Sequence, residues 1–238
     1  MQKQEKKTRN RPGRPAMGQS LTPQDVAQAA LELIDSEGLN AFSMRRLGQS
    51  LGVEAMALYN HFADKEAILN AVASLTLERV PVPLAKGSWR NRIKDLCFSV
   101  RSIGLRHPNL FPLAMTRRTA PASALRLVEG ALAALADAGL SLEAQSNAYH
   151  TCFQYVRGFC LWEIEELGLK HDRKPADLAA VPSAYPRTAA ATKLIFTPDL
   201  DRQFEAGLQL ILRGIQAQGL GRKDESRKKL KRSPETSK

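Results

Sequence analysis

The stretch Ser43–Phe62 restricts what this chain can fold into more than any other. Ser43 is a good N-cap, and Met44, Leu47 and Leu51 follow it at helical spacing. Gly52 suits the left-handed conformation that ends a helix. A second helix is predicted from Glu54, with Leu58 and Phe62 four apart on its inward side. Ala55, Met56, Ala57, Tyr59, Asn60 and His61 fall on its other side. Two short helices folded about Leu51-Gly52-Val53 are therefore expected. The outward side chains are small or uncharged and end in methyls or hydrogen-bonding groups. A helix lying in a DNA major groove needs such a surface, since acidic groups there would meet phosphates. An ordinary helical hairpin has the same spacing, so the rest of the chain must separate the two.

Charge does not separate them. The 238 residues carry a net charge of +11, but residues 1–20 hold six Lys/Arg against Glu5, a net of +5. Residues 219–238 hold eight Lys/Arg against three acids, again +5, so the 198 residues between carry +1. Residues 21–70 are acidic, with Arg45, Arg46 and Lys65 against seven Asp/Glu. The basicity thus belongs to two tails, both predicted to be disordered, which suit salt-sensitive phosphate contacts. Within the first, Arg11-Pro-Gly-Arg14-Pro15 is similar to short arginine arms that enter the minor groove of A·T-rich DNA. A solubilising tail is the plainer alternative.

The periodicity elsewhere is helical throughout. Thr22, Pro23 and Asp25 open a first helix with Val26, Ala30, Leu33 and Ile34 inward, and Gly38 stops it. Asp64 caps a fourth helix, which runs to about Arg79, and Lys65 stands at its start, where a backbone phosphate suits free N–H groups. Pro81–Gly87 marks a boundary. Beyond it, helices are expected after Ser88, over Phe111–Arg118, from Pro121 to Gly139, from Ser141 to about Glu166, over Thr188–Phe196 and from Thr197-Pro198 onward. Residues 168–187, with Pro175, Pro182 and Pro186, read as a long connection. The expected fold is all-α: a three-helix helix-turn-helix head over 21–80, joined through its fourth helix to a helical bundle over 88–218. Basic tails flank them at 1–20 and 219–238. Gly158 in one long helix, and Ala206, Gly207 and Gly214 in another, suit close helix approach, either in an isologous dimer interface or within the chain's own core.

Several function classes find no support. No 18-residue apolar run is present, and the charged N-terminus lacks a signal-peptide core, so a cytoplasmic protein is expected. Cys97, Cys152 and Cys160 have no metal-ligand spacing and read as small buried hydrophobes. His61, His107, His150 and His171 form no HExxH pattern; there is no GxSxG elbow, phosphate loop or dinucleotide fingerprint, so neither a metal, another cofactor nor a catalytic residue is expected. Glu163, Glu165 and Glu166 read as a solvated acidic helix end.

From Thr22 to about Gln218 the chain resembles the tetracycline-repressor (TetR) family of bacterial transcription regulators. The resemblance is carried most by Leu51-Gly-Val-Glu-Ala-Met-Ala-Leu-Tyr-Asn-His-Phe-Ala-Asp-Lys-Glu-Ala-Ile-Leu69 and by the spacing of Gly38, Ser43, Gly52, Tyr59 and Lys65. Arg106-His-Pro108, Ala138–Glu143 and Phe204–Gly214 carry it in the second half. It implies a homodimer reading a palindromic operator on double-stranded DNA, with a small molecule in the C-terminal domain resetting the spacing of the heads. By the same resemblance, Ser43 contacts phosphate and Arg45 a base edge. Ala55, Met56, Ala57, Asn60 and His61 face the groove, while Tyr59 and Lys65 meet phosphates. In the tetracycline repressor a histidine shortly after the Arg-His pair helps hold a magnesium–drug complex. Here that position is Ala114, which has no donor for a metal, so a different effector is expected. Phe98, His107, Phe111, Met115, Tyr149, Phe153 and Trp162 are candidate pocket residues, though each also fits plain core packing. The competing readings are a nonspecific architectural DNA-binding protein driven by its basic tails, and a helical enzyme.

Overall fold

The computed structural model describes residues 20–82, 86–116, 121–169, 185–196 and 199–232. Among them are ten α-helices, one short 3-10 turn (Leu39–Ala41) and no strand. The chain divides into two compact units: Met1–Arg79 with His107–Ala124, and Val80–Arg106 with Leu125–Lys238. This division is not sequential, because the segment after Arg106 returns to the first unit.

The first unit is organised by local caps. Helix α1 (Pro23–Glu37) opens with a full capping box: the Thr22 hydroxyl accepts from the Asp25 N–H at 3.2 Å, and Asp25 accepts from the Thr22 N–H at 3.0 Å. The Thr22 hydroxyl also donates to the Asp25 carboxylate at 2.5 Å, and this bond, together with the one from the Thr22 N–H, holds the carboxyl below its usual range. Helix α2 (Met44–Leu51) starts at Ser43, and helix α4 (Lys65–Glu78) at Asp64, whose carboxylate accepts from the Ala67 N–H at 2.7 Å. Between them lies α3 (Ala55–Leu58). Val26, Ala30 and Ile34 of α1 pack with Phe42, Leu47, Leu58, Ile68 and Val72 in one buried core. A fully buried Leu, Ile or Phe contributes roughly 1.5–3 kcal/mol through removal of its surface from water.

The core also includes Leu110, next to the short helix α6 (Phe111–Thr116). Two polar contacts tie this segment to α1. The Asn109 amide donates to the Ile34 and Asp35 carbonyls at 3.1 and 3.2 Å, in the last turn of the helix, where carbonyls run short of intrahelical donors. The His107 ring Nδ1 lies 2.7 Å from the Asp35 carboxylate.

The second unit contains α5 (Trp89–Arg106), most of α7 (Ala122–Asp137), α8 (Leu142–Leu169), α9 (Pro186–Phe196) and α10 (Leu200–Arg232). Helix α8 packs against both α5 and α10. Their buried contact includes charge. Arg101 of α5 is buried and grips Glu163 of α8 through two bonds of 2.7 and 2.6 Å, while its third nitrogen meets Asp201 of α10 at 2.7 Å. Its guanidinium also lies 4.8 Å from the ring centre of Phe204, on α10. The Glu163 hydrogen bond raises the Arg101 pKa further above its ordinary value.

One expectation needs correction. Glu163 is buried at 3% exposure rather than part of a solvated acidic end, because Arg101, sixty-two positions earlier, compensates its charge. Helix α10 runs on through residues 219–232, inside the stretch expected as a basic tail. No proline interrupts the run before Pro234, and its many Lys, Arg, Glu and Leu residues favour helix.

Candidate nucleic-acid interface and ligand cavity

In the first unit, the two helices of the predicted motif are held by backbone geometry. Gly52 adopts the left-handed conformation (φ 73°, ψ 29°), open to glycine without steric cost, and the chain turns there. The Val53 N–H donates to the Gly48 carbonyl at 3.0 Å. A Cβ on Gly48 would stand 2.8 Å from the Val53 carbonyl oxygen and 3.2 Å from the Ala55 nitrogen. Gly48 therefore lets α2 approach the start of α3 backbone to backbone. Gly48 is not among the residues that the motif's outward pattern singles out. Its signal was a glycine inside an otherwise regular helix, which usually marks such an approach.

The second helix is shorter than its periodicity predicts. After Leu58 the chain tightens into three-residue turns, with Tyr59, Asn60 and His61 N–H groups donating to Met56, Ala57 and Leu58 carbonyls at 3.2, 3.3 and 3.0 Å. Asp64 then takes the extended conformation (φ −161°, ψ 179°) of an N-cap, and α4 starts there. The side chains still divide cleanly. Leu58 is fully buried, whereas Met56 is 74% and Tyr59 47% exposed. Asn60 and Arg45 are exposed, and Ala55, Ala57 and His61 are half-buried.

Three polar residues at the rim have partners within the unit. Ser43 accepts from the Arg46 N–H at 3.2 Å. Arg46 itself pairs with Glu37. Lys65, although exposed, donates from Nζ to the Phe42 carbonyl at 2.9 Å and lies 5.3 Å from the Phe42 ring centre. An ammonium carries three donors, so two remain for an incoming oxyanion. Arg11 and Arg14 lie outside the described residues, as does most of the 168–187 connection.

In the second unit, α5, α7 and α8 enclose a cavity of about 50 Å³. Leu96 and Val100 of α5, Leu135 of α7, and Tyr149 and Phe153 of α8 line it. The last two rings are stacked with centres 5.9 Å apart. The Tyr149 hydroxyl is the only oxygen among the lining side chains, and burial raises its pKa. Cys97 and Cys152 complete the polar inventory of the wall.

Of the seven candidate pocket residues, Tyr149 and Phe153 meet at this cavity; the others do not line it. Phe98 sits edge-on to Phe204 at 5.1 Å. Trp162 is 38% exposed and edge-on to Phe159. His107, Phe111 and Met115 belong to the first unit, where His107 is engaged by Asp35. No group of three His, Cys, Asp or Glu suited to a metal ion occurs among the described residues.

Residues 81–219 match the model of the tetracyclin repressor-like C-terminal domain, and residues 27–72 that of bacterial regulatory proteins of the tetR family. The chain is 30% identical over 204 residues to the class C tetracycline repressor protein of Escherichia coli, covering 84% of this chain and 92% of that protein. Among solved structures, the TetR family protein ActR of Streptomyces coelicolor in complex with actinorhodin superposes with a TM-score of 0.74 at 29% identity, over 83% of this chain and 96% of the other. BioQ in complex with its natural double-stranded DNA operator superposes at 0.60 and 28% identity, over 83% and 99% of the two chains.

Proposed function

Because this chain belongs to the tetR family of bacterial regulatory proteins, we propose that it is a cytoplasmic transcriptional repressor that binds a palindromic operator as a homodimer and is released by a small-molecule effector. The observation that carries this reading is the sidedness of the helix-turn-helix. Leu47, Leu51 and Leu58 are buried, while Arg45, Met56, Tyr59 and Asn60 stand outward on one motif. In this reading Arg45 and Asn60 supply hydrogen-bonded base readout, since an arginine pairs two-fold with guanine and an asparagine with adenine. Met56 and the neighbouring alanines offer apolar contact to thymine methyls. Ser43 keeps its hydroxyl proton for a phosphate while its oxygen caps α2, and Tyr59 and Lys65 add phosphate contacts.

The effector site is the apolar cavity of the second unit. At about 50 Å³ it is far smaller than the roughly 300–1,000 Å³ of drug-sized pockets, so an effector binds by parting α5, α7 and α8. That requirement itself links occupancy to helix position. For dimerisation, α8 and α10 present an outward set: Gly158 and Gly214 have no heavy atom near the place of a Cβ, and Leu210 is 69% exposed. Another small residue of the expected close approach, Gly207, is covered instead by the Tyr155 ring of its own chain.

Fluorescence anisotropy on DNA fragments flanking the protein's own gene tests the reading. A salt-sensitive, sequence-selective complex is expected. Arg45→Ala and Asn60→Ala should each weaken it by about 1–3 kcal/mol and relax selectivity at one base pair per half-site, without lowering the melting temperature. No selective complex with any flanking fragment would rule out autoregulation.

A further inference from the structure

The apolar cavity holds two thiols that the effector reading does not use. Cys97 comes from α5 and Cys152 from α8, two helices packed on one another, and both side chains line the same void. Both are buried free cysteines. The wall around them is otherwise hydrocarbon apart from the Tyr149 hydroxyl. We propose that Cys97 and Cys152 form an oxidisable dithiol site for small apolar hydroperoxides, closing to a disulfide that ties α5 to α8 across the cavity.

The two sulfurs are not equivalent. The interaction between the two thiols raises the Cys97 pKa and lowers that of Cys152. Cys152 is accordingly the attacking sulfur, because the thiolate is the nucleophile, and Cys97 is the resolving thiol. In the first step the Cys152 thiolate attacks the outer oxygen of R–O–O–H. The O–O bond breaks, Cys152 becomes a sulfenic acid, and the alkoxide leaves and takes up a proton as the alcohol. In the second step Cys97 attacks the sulfenic sulfur; the S–S bond forms, the S–O bond breaks, and water leaves with the Cys97 proton. The sum is two thiols and one hydroperoxide to one disulfide, one alcohol and one water. An alkyl hydroperoxide suits the site better than hydrogen peroxide because its hydrocarbon end loses water-exposed surface in the cavity. Cys160, about two turns further along α8, does not line the void, and burial pushes its thiol up to about 12.

The proposal rests on the effector reading only in requiring that small molecules reach the cavity. Its test contains no DNA, so each can fail alone. The full-length protein is treated with tert-butyl hydroperoxide or hydrogen peroxide, alkylated, digested and mapped by mass spectrometry. The expected product is a Cys97–Cys152 cross-linked peptide pair lighter by two hydrogens, formed with a preference for the alkyl hydroperoxide that free cysteine does not show. Cys160→Ser should retain it. Cys97→Ser should stop at a Cys152 sulfenic acid, trapped by dimedone, with circular dichroism verifying its helix content. A disulfide involving Cys160, no disulfide in the wild type, or the selectivity of free cysteine overturns the proposal; these wild-type readings do not depend on any variant folding.

Discussion

At single positions, small groups decide how the helix-turn-helix is built. Gly48 has no room for a Cβ because the Val53 carbonyl stands 2.8 Å from where it would be. The Gly48→Ala protein is expected to lose about 1–3 kcal/mol, the usual cost of forcing an extra group into packed structure, despite the better helix propensity of alanine. Urea denaturation measures this, and unchanged or increased stability would show that α2 can shift freely against α3. Ser43 acts differently. Its oxygen satisfies the Arg46 N–H, so Ser43→Ala should cost about 1 kcal/mol of stability and also weaken operator binding if its proton meets phosphate. Comparison with Ser43→Gly, which restores most of the cap stability, separates the two effects.

Among the helices, the buried charge cluster on α5, α8 and α10 is the main cross-link. Arg101 and Glu163 are 6% and 4% exposed at their side chains, so removing Arg101 leaves Glu163 a bare buried charge, and removing Glu163 leaves buried Arg101 only its bond to the exposed Asp201. Glu163→Ala is expected to destabilise by roughly 3–5 kcal/mol, whereas the paired change Arg101→Met with Glu163→Leu should cost much less, since apolar pairs of similar volume commonly replace buried ion pairs at little cost. Thermal unfolding of the two variants checks this. Equal losses would mean that the charges themselves, and not their burial, hold the helices. The Asp35–His107 contact is a further cross-link, inside the first unit, and it gives the pocket candidate His107 a structural occupation.

The whole chain combines an acidic head with basic ends. Residues 21–70 carry more acid than base, so the proposed operator affinity rests on a few placed groups and on long-range attraction from residues 1–20 and the Lys/Arg-rich end of α10. Deleting residues 1–20 and changing Lys228, Lys229, Lys231 and Arg232 to Gln should lower the slope of log affinity against log salt and weaken binding. Sequence preference should survive. Loss of all preference would favour the architectural alternative. An effector that releases operator must bind more weakly to the operator-bound protein by the same factor, typically about 1–3 kcal/mol, and calorimetry with and without DNA measures that equality.

What the chain settles by itself is local. Thr22, Ser43 and Asp64 cap helices, and Gly38 and Gly52 end them, because caps and turns are satisfied by groups within four residues of one another. The all-α fold and the family follow from the same short-range pattern and from the Leu51–Leu69 motif. Only the tertiary structure decided which polar groups are buried and which rings share a void. Arg101 finds Glu163 sixty-two residues away, and His107 finds Asp35 seventy-two residues away. Helical periodicity assigns a side chain to a face but not to a neighbour, so Tyr149 and Phe153 met at the cavity while Phe98 and Trp162, on helices α5 and α8 that also line it, turned elsewhere. Helix-turn-helix function was legible early because it depends on one contiguous stretch. The cavity and its two thiols were not, because three separate helices build them.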